Sequence, residues 1–318
     1  CTQNPTMGEE WRRGWHPERP RARGEGQVLV VGGGPAGLEV ALTAARRGFQ
    51  VALAEKADDF GGRLRYETAL PGLRQWGRVA EYRLGQLRKM ANVSLFAGSD
   101  MSADDVAEFA ADQVVVATGA RWTKALLAAS ELPEGGLNGP GVYTPDDLAA
   151  GLRPEGPVAV FDFDNYYLGS AIAEDLSAKG LAVTYVTSAG AASAWSFLTN
   201  EQGHIHAALA RRGIGYRTLQ RVTGFDGETV ALAQMMSGEP SSLPARSLVI
   251  VGLRQGGSGL YDALVQRGLT PHLTGDANAP GAIAHAVWQG HRTAEDLGLS
   301  NVMIRRDPGP AALPHVAQ

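Results

Sequence analysis

Cysteine is the scarcest residue that bears on function, with Cys1 the single one in 318 residues. That excludes an intrachain disulfide and fits a reducing, cytoplasmic setting. Long apolar runs are also missing. Nothing approaches the roughly 20 residues a membrane-spanning helix needs, and the N-terminus lacks the charged-then-apolar pattern of a secretory signal. Charge of one sign is absent too. Lys and Arg number 29 against 33 Asp and Glu, a net charge of -4, so no global basic field recruits nucleic acid or an anionic membrane. There is no GxSxG elbow, CxxC pair or Walker lysine loop, which removes support for hydrolase, dithiol-redox and NTPase chemistry. An initiating Met is also lacking, so the chain is expected to be processed, a fragment, or part of a larger polypeptide.

What is present is ordinary globular material, 44% hydrophobic and 19% charged, long enough for two domains. Short Val-rich runs alternate with helical patterns, the mark of α/β architecture with parallel sheets. Strands are expected at Gln27–Val31, Gln50–Glu55, Ser94–Phe96 and Val114–Gly119, with helices at Ala36–Arg47 and Val79–Met90. The pattern then restarts, with strands at Pro157–Phe161, Ala182–Thr187 and Ser247–Gly252 and a helix at Ser170–Lys179. This reads as two related, doubly wound nucleotide-binding domains, the second inserted in the first. The first is expected over 25–120 and 253–300, the second over 121–252. Residues 1–24, basic through Arg12, Arg13, Arg19, Arg21 and Arg23, form a strap, and 301–318 a tail. Pro133–Gly141 reads as a loop near the first crossing.

The strand Gln27–Val31 runs into Gly32-Gly33-Gly34-Pro35-Ala36-Gly37, a GxGxxG between strand and helix. Gly32 allows the tight turn, Gly34 lets backbone approach a pyrophosphate, and Gly37 permits close helix packing. The helix start offers free N–H groups and partial positive charge to phosphates. Glu55, followed by Lys56, ends the next strand where an acid can take ribose hydroxyls. Phe60-Gly61-Gly62-Arg63, Ala117-Thr118-Gly119 and Leu273-Thr-Gly-Asp276 follow in the order that selects a flavin-type fold over a simple dehydrogenase, the last before a helix at Gly281–Asp296.

The restarted domain should carry its own glycine loop after Phe161. It reads Asp162-Phe-Asp164-Asn-Tyr166-Tyr167-Leu-Gly169 instead. Carboxylates there repel phosphate by about 1 kcal/mol at 4 Å in water and about 4 kcal/mol at a surface-like dielectric. Ordinary NAD(P) binding should be lost, leaving either a scaffold domain or a repurposed surface.

Residues 1–10 (CTQNPTMGEE) and 11–18 (WRRGWHPE) resemble the linker of the trimethylamine dehydrogenase family. The likeness continues through Leu70-Pro-Gly-Leu73, Ala117–Trp122, Gly275–Pro280 and Gly290-His-Arg292, covering nearly the whole chain. The resemblance implies the C-terminal half of a longer oxidoreductase, built like the FAD- and NAD-binding domains of disulfide reductases. It implies FAD, or ADP in its place, held here by Gly32, Gly34, Pro35, Ala36, Gly37, Glu55, Lys56, Gly62, Arg63, Thr118, Gly119 and Asp276. An absent N-terminal TIM barrel would hold FMN and a 4Fe–4S cluster, with Cys1 as its fourth cysteine ligand. Four thiolates are needed, so this chain alone should be cluster-free. The whole protein would oxidise a small N-methylated amine and pass electrons to an electron-transfer flavoprotein, as a homo-oligomer; the alternative readings are an FAD-dependent NAD(P)H reductase module and a purely structural nucleotide-binding module. The glycine loop does not separate FAD from ADP, and Asp276 is the residue expected at the ribityl chain or outer phosphates.

Other features carry less. His204 and His206 sit two apart, a spacing that suits a strand rather than a helical metal site. Trp11, Trp15 and His16 read as a packed strap, and Trp288 as core or interface. Asp104-Asp105 and Asp146-Asp147 fall at expected helix starts, where acids cap N-termini.

Overall fold

The computed structural model describes residues 2–8, 23–124 and 137–299. In chain order its elements begin with β1 (Gln27–Val31), α1 (Pro35–Arg47), β2 (Gln50–Ala54), the short α2 (Leu64–Glu67), α3 (Arg78–Leu87), β3 (Val93–Phe96), α4 (Ala103–Phe109) and β4 (Gln113–Val116). They continue with β5 (Ala120–Trp122), β6 (Val142–Tyr143), α5 (Pro145–Ala149), β7 (Val158–Asp162), α6 (Leu168–Ala178), β8 (Val183–Thr187), α7 (Gln202–Arg211) and β9 (Gly215–Arg217). Then come β10 (Gln220–Phe225), β11 (Thr229–Gln234), β12 (Pro240–Pro244), β13 (Ser247–Val251), β14 (Arg254–Gly256), α8 (Gly259–Gln266), β15 (His272–Leu273) and α9 (Ile283–Asp296).

The chain divides into two compact units: Cys1–Arg65, Trp76–Ala120 and Gly256–Gln318 in the first, Tyr66–Gln75 and Arg121–Gln255 in the second. Tyr66–Gln75 lies inside the stretch 25–120 expected for the first domain but clusters with the second unit.

In the first unit a parallel sheet runs β15-β4-β1-β2-β3. Val28, Leu29 and Val30 of β1 are fully or almost fully buried, as expected of a central parallel strand covered on both faces. One face packs on α1 and α9 through Leu38, Leu42, Leu53 and Ala294, the other on Val106 of α4 and Leu264 of α8. In the second unit a parallel sheet runs β6-β13-β7-β8-β9, beside a three-stranded antiparallel meander β10-β11-β12. Phe161, Val186, Leu248 and Ile250 meet Val222, Val230 and Leu232 of the meander in one core.

The α/β class and the doubly wound sheets match the sequence expectation, with ends shifted by a few residues. The strand expected over Val114–Gly119 stops at Val116, leaving Ala117-Thr118-Gly119 as a connection. His204 and His206 lie on α7, a helix, not on a strand. Asp105 and Asp147 do act at helix starts, but as the third residues of capping boxes around Ser102 and Thr144. The meander is not foreshadowed by the sequence pattern. No helix among the described residues is long and apolar enough to cross a membrane.

Candidate nucleotide-binding site

The site is built where β1 turns into α1. Gly32 has φ +110°, and a Cβ there would lie 2.3 Å from the Ala117 carbonyl oxygen. A Cβ on Gly37 would lie 1.8 Å from the Gly32 carbonyl oxygen. The protein's own packing therefore demands both glycines. Gly34 differs: its φ of -76° suits any residue, and its Cβ would meet nothing nearer than Gly62 Cα at 4.0 Å. Folding does not require glycine there, and the space in front of it is open. Pro35 starts α1, no side chain caps the helix, and its first turn holds no acid. The positive end of the helix dipole therefore faces that space with no acid in the helix's own first turn. The residues fit the ADP moiety of FAD or of ADP itself.

The flanking residues are drawn in by backbone contacts. Gly61 N–H donates to the Gly33 carbonyl at 2.8 Å, tying the Gly61-Gly62-Arg63 loop to the glycine turn. Glu55 sits just past β2, largely buried. Its Oε2 accepts from Gly33 N–H at 2.6 Å and its Oε1 from Ala57 N–H at 2.9 Å. Each oxygen keeps a second lone pair for a ribose hydroxyl, so the acid orders the loop as well as offering an acceptor. Lys56 beside it is exposed.

Two expected site residues meet although 213 positions separate them. Arg63 Nη2 forms an ion pair with Asp276 Oδ2, and Asp276 Oδ1 accepts from Gly281 N–H at 3.0 Å. Thr118 instead secures the returning chain. Its hydroxyl donates to the Gly257 carbonyl at 2.6 Å, and Gly257 N–H donates to Gly119 O at 2.8 Å. That segment fastens the returning chain and also abuts the glycine turn, its Thr118 N lying 3.1 Å from where a Cβ on Gly32 would stand. Two further glycines, in the stretches Leu273–Asp276 and Gly290-His-Arg292, also matter. A Cβ on Gly275 would meet Ala36 Cβ at 2.5 Å, and one on Gly290 would meet Ala36 O at 2.4 Å. Both let late elements close on the start of α1. Cys1, Trp11, Trp15, His16 and the tail lie outside the described residues.

Behind the cradle, α1, α3 and α9 share a buried polar knot. Arg83 Nε donates to Glu39 Oε2 at 2.6 Å, with both side chains almost wholly buried. Thr43 Oγ1 donates to Glu39 Oε1 at 2.9 Å, and His291 Nδ1 lies 3.2 Å from the same oxygen. Burial pushes the Glu39 carboxyl up. The His291 hydrogen bond, the charges of Arg83 and His291 and the Thr43 hydroxyl outweigh it and hold Glu39 below the usual carboxylate range.

The second unit's counterpart is filled by its own side chains. Asp162 is fully buried; it accepts from the Tyr185 hydroxyl and, at 2.8 Å, from Asn165 N–H. A Cβ on Gly169 would lie 2.5 Å from Asp162 Cγ. Thr187 Oγ1 donates to Asn165 Oδ1 at 2.6 Å, and Trp195 N–H to Asn165 O at 2.9 Å. Asp162 is thus turned inward, its carboxyl engaged by Tyr185 and Asn165, while Asp164, the second carboxylate of the loop, is partly exposed. Tyr167 donates to Glu67 Oε2 at 3.0 Å. Among the described residues no group of three or more His, Cys, Asp or Glu is arranged to hold a metal ion, His204 and His206 included.

Residues 26–269 match the pyridine nucleotide-disulphide oxidoreductase family. Dimethylamine dehydrogenase of Hyphomicrobium sp. (strain x) is 31% identical over 93% of this chain and 45% of that protein. Histamine dehydrogenase from Rhizobium sp. 4-9 superposes with a TM-score of 0.89 at 36% identity, over 97% of this chain and 49% of that one. The 6-hydroxypseudooxynicotine amine oxidase from Pseudomonas geniculata N1 gives 0.89 at 38%, over 94% and 46%. The chain spans about half the length of these relatives.

Proposed function

The chain belongs to the pyridine nucleotide-disulphide oxidoreductase family and corresponds to the C-terminal half of trimethylamine dehydrogenase-family proteins, and from that premise we propose that its first unit binds the ADP moiety of FAD, or ADP alone, within a larger flavin-dependent oxidoreductase. The observation that carries this reading is Gly34. Packing explains Gly32 and Gly37, whereas Gly34 leaves an open face before an uncapped helix start, which is where a pyrophosphate is held. Ala36 and Gly37 supply N–H groups, Glu55 an acceptor for the ribose, and Gly62 a second close backbone approach.

The rest of the enzyme follows from the relatives as a proposal. A further portion holds FMN and a 4Fe–4S cluster, to which Cys1 contributes one thiolate. A small amine is oxidised there, and electrons leave to an electron-transfer flavoprotein from a homo-oligomer. The chain's own residues bind nucleotide and do not touch the amine.

Chromatography of the nucleotide released from purified protein, with an absorbance spectrum, tests the site. FAD with a flavin spectrum or ADP without one supports it, and a protein that neither carries nor binds either nucleotide sinks it. Gly34→Val should abolish binding while leaving the unfolding midpoint close to wild type, because the new side chain enters open space.

A further inference from the structure

Arg83 reaches beyond the polar knot to the strap. Its Nη2 donates to the Gln3 carbonyl at 2.9 Å and its Nη1 to Gln3 Oε1 at 3.1 Å. The strap there is a small turn, in which Thr6 N–H and Thr6 Oγ1 donate to Asn4 Oδ1 at 3.0 and 2.9 Å. It borders a groove of about 820 Å³ lined by Gln3, Thr6, Glu39, Arg83 and His291 among others, so part of the strap faces open space rather than a packed neighbour. At the other end of the same contacts stands the start of α1. A Cβ on Gly290 would lie 2.4 Å from Ala36 O. His291 is the next residue, and its Nδ1 meets Glu39, which lies one helical turn after Ala36 on the same face. Glu39 in turn accepts from Arg83 Nε at 2.6 Å. We infer that a nucleotide at the start of α1 and the seating of strap residues 2–8 are coupled through Glu39 and Arg83, each favouring the other. This rests on the nucleotide reading of Gly34 proposed above.

Phosphates bind the free N–H groups of a helix start, and binding orders that first turn. There is no slack between Ala36 and Gly290, so a shift of the turn moves α9 and with it His291. Glu39 is almost wholly buried and has no water to replace a donor that moves away. Arg83 is buried as well, and its fork is aimed by Glu39 and by the Val79 carbonyl, which accepts from Nη1 at 2.9 Å. A displaced Glu39 therefore takes the guanidinium off Gln3. A ligand shifts a conformational equilibrium by its differential affinity for the two states. A nucleotide that prefers the ordered register seats the strap, and the seated strap tightens the nucleotide by the same factor.

Amide exchange of residues 2–8 in the nucleotide-stripped full chain, with and without saturating ADP, tests this beside calorimetric titration of ADP. ADP should raise the strap's protection by about tenfold, within the usual range of such couplings. Arg83→Lys keeps a cation against Glu39 but lacks the fork that reaches Gln3. It should abolish that gain and weaken ADP by the same factor, about tenfold, because the coupling is one quantity read from two ends. Gln3→Ala removes one arm of the contact from the strap side and leaves the buried pair intact. It should show a smaller gain than wild type, with wild-type exchange in β1 and β2 reporting that the protein folds. A strap whose exchange ADP leaves unchanged overturns the inference alone, as does an Arg83→Lys strap that still responds in full. A Gln3→Ala gain equal to that of wild type also overturns it, whatever Arg83→Lys does to the core. Failure of both ADP and FAD to bind wild type overturns the nucleotide reading itself.

Discussion

Asp162 ends β7 with its carboxyl fully buried, and burial, opposed by the Tyr185 hydrogen bond and assisted by the Asp164 charge, pushes its pKa to about 7. In the unfolded chain the same group ionises near 3.9. Between those values the folded state keeps a proton that the unfolded state has released. Stability therefore falls as pH rises from about 4 to 7 and levels off above. The difference between the two states corresponds to about 4 kcal/mol. Asp162→Asn removes this titration, so its urea midpoint should change much less than that of wild type between pH 5 and pH 8, and should exceed it at pH 8. Parallel pH profiles for the two proteins would show that the buried carboxyl is ionised throughout. The sequence showed that an acid had replaced a glycine here. Its inward turn was not legible, because that depends on Tyr185, 23 residues further on, supplying the hydroxyl.

The element whose behaviour follows most directly from the sequence is α1. The glycine turn, Pro35 at its start and basic Arg46 and Arg47 in its last turn all agree with a helix whose N-terminus faces anions and whose C-terminus carries compensating cations. Gly37→Ala should unfold the first unit or strip it of nucleotide, since a Cβ 1.8 Å from Gly32 O forces the helix off the sheet; a near-wild-type melting curve with normal binding would contradict this. The polar knot that locks α1 to α3 and α9 was invisible beforehand. Glu39, Arg83 and His291 lie far apart in sequence and read as surface charges until the packing buries them. Arg83→Met should cost about 3–5 kcal/mol, the penalty of removing one partner of a buried ion pair. Adding Glu39→Gln should return part of the loss; a double variant less stable than Arg83→Met alone would argue against an ionised Glu39. Because that carboxyl is held below its unfolded range, its contribution is present above the unfolded pKa and lost as pH falls through the folded one. The β10–β12 meander was missed for a different reason. Val222, Val230, Leu232 and Leu243 do mark buried positions, but Gly224, Gly227, Gly238, Pro240 and Pro244 interrupt the runs that carry them.

At the scale of the molecule, two units share a plan but differ at the turn where a nucleotide enters. In the first, Gly34 leaves that turn open. In the second, Asp162, Asn165 and Thr187 fill it, and Trp195 N–H bonds to its backbone. Duplicated architecture was readable from the restarted strand-helix pattern, as was the loss of the second glycine set. The means of closure was not, since a side chain's direction is set by partners on other strands. A turn packed by its own side chains admits a pyrophosphate only by unfolding locally, which breaks several buried hydrogen bonds at about 1 kcal/mol or more each. The full chain should therefore bind neither NADH nor NADPH at millimolar concentration, and any bound flavin should keep its oxidised spectrum when NADH is added without oxygen. Bleaching would mean that the second unit opens to receive the dinucleotide and that the chain works as a reductase module. Substituting glycine at Asp162 and Asn165 together should not restore binding, because Tyr185 and Ser193, themselves hydrogen bonded at 3.0 Å, would still stand behind the turn. Tight NADH binding by that double variant would locate the obstacle in those two side chains alone.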